Sequence, residues 1–158
     1  MKSGIFAGIA LLLVSGGLAG CGQEQPAAPA PTPAGDLTVT NGRLVLAPVK
    51  GNPVAVYFDI TNHGARDWMI VNASMKGAKS TMLHTVGGPG TGGGMGQMIQ
   101  IWVPKGETVH FEPGKLHVMV MDPPAGLAKG GTSEVSLRFP AGDTMSFPVA
   151  IRGAGDER

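Results

Sequence analysis

Nine short apolar runs, each separated from the next by Gly, Pro or Asn, constrain what this chain can fold into more than any other feature. They read "LTVTNGRLVL", "VAVYFDITN", "WMIVNASM", "KSTMLHTV", "MIQIWVP", "ETVHFEP", "LHVMVM", "EVSLRF" and "MSFPVAI". None sustains a helical period, whereas several alternate apolar and polar residues along their length. Short strands spaced by turn signals predict an all-β fold, an antiparallel sandwich with Greek-key connections. At 158 residues the chain has room for one such domain and a tail or two.

The tails are legible at both ends. "MKSGIFAGIALLLVSGGLAGC" places an apolar run from Ile5 to Val14 behind one early lysine, and small residues before Cys21, as in an export signal. The run is short for a membrane span. Leu18-Ala19-Gly20-Cys21 resembles the bacterial lipobox, which predicts cleavage after residue 20 and lipidation of Cys21. Residues 21–35 then form a Pro/Ala-rich tether, residues 36–152 the folded domain and residues 153–158 a polar tail. The expected location is the bacterial cell envelope, with the domain facing the periplasm or another extracytoplasmic space.

Several classes of function are excluded by charge and cysteine usage. Without residues 1–20 the chain loses only Lys2 and carries 11 Lys+Arg against 11 Asp+Glu, which offers no electrostatic case for nucleic acid. Cys21 is the only cysteine, so lipidation leaves no thiol for a disulfide, a zinc site or a nucleophile. No paired carboxylates or nucleophile motif stand out, and the chain reads as a non-enzyme.

What remains for chemistry is histidine and methionine. In "LHVMVM", alternation sends Leu116, Val118 and Val120 to the core and His117, Met119 and Met121 to the opposite face. In "TMLHTV", Leu83 points inward, so Met82 and His84 point out together. In "MIQIWVP" the same rule assigns Ile99, Ile101 and Val103 to the core and Met98, Gln100 and Trp102 to the other side. Between them, "HTVGGPGTGGGMGQM" sets Met95 in a glycine run that reads as a loop and gives a thioether nothing to pack against. The candidate ligands are therefore His84, Met95, His117 and Met119, with Met98 or Met121 as alternatives. Thioethers are soft and carry no proton to lose, so two imidazoles and two thioethers suit one Cu(I) ion.

His84, ten residues, Met95, twenty-one residues, His117, one residue, Met119 resembles the ligand spacing of the periplasmic copper chaperones called PCuAC. "AVYFDITN" and "VPKGETVHFEPGKLHVMVM" extend the likeness over most of residues 37–152, although "TVGGPGTGGG" departs from the methionine- and acid-bearing segment common there. The resemblance implies a cupredoxin-like β-sandwich that holds Cu(I) near its surface. It further implies delivery toward cytochrome c oxidase, through its subunit II or a Sco-type protein, or a role in envelope copper homeostasis. A lipid-anchored β-sandwich binding or adhesion module without metal is the alternative. His110, in "TVHFEP", is expected on the solvated face, His63 in a turn, and Trp102 at the rim.

Overall fold

The computed structural model describes residues 33–87 and 92–156, so the signal, Cys21 and most of the tether lie outside the described residues. One helical turn, α1 (Pro33–Asp36), leads into eleven strands. These are β1 (Leu37–Val45), β2 (Val54–Asn62), β3 (Trp68–Ile70), β4 (Asn72–Met75), β5 (Ser80–Val86) and β6 (Met95–Met98), followed by β7 (Ile101–Val103), β8 (Thr108–Phe111), β9 (His117–Met121), β10 (Thr132–Arg138) and β11 (Thr144–Arg152). The all-β reading is correct. Eleven strands replace nine runs because "WMIVNASM" divides into β3 and β4, and the glycine segment ends in a strand of its own, β6. The last residues read as tether, 33–35, already belong to the helical turn.

Nine strands form one sheet in the order β4-β10-β11-β1-β2-β9-β5-β6, with β8 also paired to β2. Strands β3 and β7 make a separate ribbon. All these pairs are antiparallel except β1 with β11. The sheet folds over on itself, because the β4 end returns to β5, where the Thr81 hydroxyl donates to the Ala73 carbonyl. Inward residues of β2, β5, β9, β10 and β11 thereby share one core. At its centre the Phe58 ring stacks on Phe111, centroids 4.1 Å apart, and meets Phe147 at 4.8 Å.

Two backbone features set the register. Between Thr40 and Arg43 the β1–β2 pairing shifts at a bulge in which Asn41 has φ 55°. Gly42 follows it, and a side chain there would come within 2.6 Å of the Pro148 carbonyl, so β1 and β11 can approach only because Gly42 has none. The bulge is tied down from the outer face: Asn41 Nδ2 donates to Asp59 at 2.6 Å, and the His110 ring nitrogen lies 2.7 Å from the other oxygen of that carboxylate. His110 is thus on the solvated face as expected, but paired.

Asn62, at the end of β2, is fully buried. Its amide nitrogen donates to the carbonyls of Arg66 (2.8 Å) and Val103 (2.9 Å), and its side-chain oxygen accepts from Gly64 N–H at 2.9 Å. One side chain therefore holds the β2–β3 turn to β7. An Asn62→Ala variant would strand these groups, at about 1–3 kcal/mol for each that stays buried. We expect it to lose about 3 kcal/mol in urea unfolding, and a loss below about 1 kcal/mol would show that water replaces the amide.

Candidate metal centre

Strand β9 lies between β2 and β5, and its register decides what gathers on the outer face. Across β5 and β9 the partners are His84 with His117, Met82 with Met119, and Ser80 with Met121. Partners directly opposite share a face, so both histidines and three thioethers stand together, backed by the core residues Leu83, Val118 and Val120. The imidazoles lie at 5.7 Å between centroids with a 72° angle between planes.

On the other side of β5, strand β6 pairs Val86 with Met95, Thr85 with Gly96, His84 with Gln97 and Leu83 with Met98. Met95 and Gln97 consequently share the face of the histidines, whereas Met98 follows Leu83 inward and packs against the core. Met95 is 59% exposed at the edge. The expectation of a loop methionine is corrected here: Met95 opens a strand, held to β5 by a hairpin in which Gly87 N–H donates to Gly94 O at 3.2 Å.

The parity expected for "MIQIWVP" also changes, because the chain leaves β6 at Met98 and enters β7 at Ile101. Two residues outside either strand reset the alternation. Ile99 becomes 81% exposed while Ile101 and Val103 remain in the core. Trp102 sits 53% exposed on the β3–β7 ribbon, opposite Met69, and the cation–π contact of a tryptophan is made instead by Trp68 with Arg66, at 3.9 Å.

The two histidines differ in environment. His117 is only 5% exposed, and the Tyr57 ring lies 6.2 Å from it on the side away from His84. Its Nδ1 is 2.9 Å from the Lys115 carbonyl, an acceptor only, so Nδ1 carries the proton and the lone pair is left on Nε2. This is the hydrogen bond that orients a metal-binding imidazole. His84 has the opposite condition, for its buried Nδ1 has no hydrogen-bond partner. Burial, and secondarily the facing His117, hold the His84 pKa below the usual histidine value. A ring kept neutral with an unsatisfied nitrogen is a donor set suited to a cation.

Among the described residues no three His, Cys, Asp or Glu side chains converge, so a metal on this face depends on the thioethers. No charged residue occurs anywhere from Ser80 to Pro104. A groove of about 500 Å³, lined by Leu46, Pro48, Val49, Pro123, Pro124 and Leu127, lies away from the histidine pair. The histidine face is thus distinct from that groove, with His117 buried and Met95 exposed at its edge. Sequence reasoning overlooked Tyr57 and Gln97, although alternation in "AVYFDITN" and "MGQM" would have placed each beside its neighbours.

Comparison with known proteins identifies the family and the fold. The profile of the LpqE-like lipoprotein family matches residues 37–151. Protein Lxx21020 of Leifsonia xyli subsp. xyli, which carries a lipoprotein name, is 34% identical over 138 residues, spanning 86% of this chain and 82% of the relative. The fold is also that of the copper-bound PCuAC domain from PmoF2, at a TM-score of 0.62 with 18% identity over 75% of this chain and 93% of the other. The Cu(I) form of DR1885 from Deinococcus radiodurans is 25% identical, with a TM-score of 0.62 over 78% of this chain and 84% of its own.

The His84 environment has a measurable consequence without metal. Since its folded pKa lies below the ordinary 6.5, the unfolded chain takes up the proton first as pH falls. The metal-free domain should keep its full stability above about pH 6.5 and lose part of it as pH drops toward the folded value. In an NMR titration, His84 should titrate below the usual range, and His117→Gln should raise it only part of the way, since burial remains. A His84 that titrates at the ordinary value would contradict a half-buried ring held neutral.

Proposed function

The chain belongs to the LpqE-like lipoprotein family, and from that premise we propose that it is an extracytoplasmic Cu(I)-binding metallochaperone. It would be tethered to the membrane through lipidated Cys21, with one Cu(I) bound by His84, His117, Met95 and Met119. The observation that carries this reading is the cross-strand histidine pair, with one thioether beyond it toward the β5–β6 hairpin and another toward the far end of β9. All four donors are neutral, which matches a soft monovalent ion. The PCuAC domain of PmoF2 and DR1885, whose fold this chain shares, have been solved with copper and with Cu(I) respectively.

His117 supplies the most constrained donor, its Nε2 lone pair set by the bond from Nδ1 to Lys115 O. Met119 projects from the same rigid strand, and Met82 opposite it provides a further soft contact. Met95 is the exposed donor, on the terminal strand of the sheet path. Exposure makes it the ligand most readily replaced by a donor of an acceptor protein, which is what a carrier requires. Met98 is set aside as a ligand because it packs inward, and Met121 stands one strand pair beyond Met119. We take the acceptor to be a copper-site assembly partner of cytochrome c oxidase, its subunit II or a Sco-type thiol protein, and the chain to be a carrier with no catalytic step of its own.

Competition with a Cu(I)-specific chelator at neutral pH should show one retained equivalent. Met95→Leu should weaken binding by about tenfold or more, while Met98→Leu should leave it within about twofold. X-ray absorption at the copper edge should report nitrogen and sulfur neighbours together. Loss of binding in the Met98 variant alone, or a shell of only nitrogen and oxygen, would overturn the assignment.

A further inference from the structure

Strand β6 ends the sheet path next to the metal face. At the other end, β4 is closed off by its return to β5 through Thr81 and Ala73. Among the described residues β6 pairs only with β5, so its outer side is an open edge.

Which backbone groups lie on that edge follows from the hairpin pattern. Antiparallel pairs alternate between those that exchange hydrogen bonds and those that do not. The bond from Gly87 N–H to Gly94 O marks that pair as bonded. Counting along the register, Thr85 with Gly96 and Leu83 with Met98 are bonded pairs, while Val86 with Met95 and His84 with Gln97 are not. The N–H and C=O groups of Met95 and Gln97 therefore point away from β5, into the open edge. Their side chains stand on the histidine face.

Such an edge is normally guarded by lysine, proline, a bulge or a covering segment. From Met95 to Gln100 the chain reads "MGQMIQ", with no charge and no proline, and Ile99 beside it is largely exposed. Among the described residues nothing guards the edge that carries the exposed thioether.

The geometry points to β6 as a docking edge for an extended, uncharged segment of an acceptor protein, which adds as a further strand and presents a sulfur donor beside Met95. A residue opposite Met95 or Gln97 in the added strand projects onto the histidine face, one strand spacing of about 4.8 Å from β6. Main-chain bonds give the attachment and a sulfur at that position gives the exchange of ligand. Because the whole segment from Ser80 to Pro104 lacks charge, association should depend little on salt. The exchange step rests on the copper reading above, whereas the docking step does not.

The test uses the metal-free full chain and a capped heptapeptide, Thr-Val-Met-Val-Met-Val-Thr, followed by amide hydrogen exchange. Saturating peptide should protect the Met95 and Gln97 amides by about tenfold or more, and the same peptide N-methylated at alternate residues should not. Gln97→Pro removes one outward N–H without touching a β5–β6 bond and should abolish the effect, and Gln97→Lys should weaken it. Unchanged amides, protection at another strand, or protection that survives Gln97→Pro would overturn the proposal. So would amides already protected in the free chain, whether lost on deleting residues 22–32 or on dilution, since the edge would then belong to the tether or to a second copy. With copper loaded, the methionine peptide should speed release to a chelator and its norleucine counterpart should dock without doing so. Docking without copper retention would remove the carrier reading and leave the edge, and retention without docking the reverse.

Discussion

The register of β9 between its two neighbours is the constraint on which the outer face depends. Val54, Val56, Val118 and Val120 are packed into the core, and this obliges His117 and Met119 to face outward. A slip of one residue would drive an imidazole and two thioethers into the apolar interior and expose three apolar residues in exchange. The hydrophobic effect, which has no interest in metals, therefore positions the proposed donors. The same inward packing on β5, through Leu83, brings His84 opposite His117 rather than beside it.

Within that frame the four proposed donors are graded from fixed to loose. His117 is buried between two aromatic rings and hydrogen-bonded to a carbonyl, so its position costs nothing further when an ion arrives. His84 is constrained by packing yet lacks a partner for one nitrogen. Met119 is half-buried, and Met95 sits exposed on the terminal strand. A site rigid at one side and open at the other can hold an ion and still surrender it, because one donor can leave while the others remain. Electrostatics adds little, as all four are neutral and the flanking segment carries no charge. In the proposed site, selectivity among cations would then be set by donor softness and site shape.

Much of this was readable in advance, and the exceptions share a cause. Alternation within single strands placed Leu83, Val118 and Val120 inside and His84, His117 and Met119 outside, and β2 has the bounds its apolar run suggested. "MIQIWVP" misled because alternation was carried across Ile99 and Gln100, which belong to neither strand, and each residue outside a strand can reset the parity. Glycine lowers strand propensity, so the local sequence around Met95 reads as a loop. The hairpin forms nonetheless, since β5 offers a template already fixed by β9. His117 was expected on an open face, but Tyr57, sixty residues away in the chain, lies alongside it.

The amino-acid sequence by itself determined the all-β class and which side chains share a face within each strand, because the two-residue period of an extended chain is a local property. Only the tertiary structure decided that β5 lies between β9 and β6, that Met95 and not Met98 shares the face of the histidines, and that among the described residues β6 pairs on one side alone. Those outcomes depend on which distant strands pair and in what register. That choice is made by packing one shared core, whose contacts no local pattern contains.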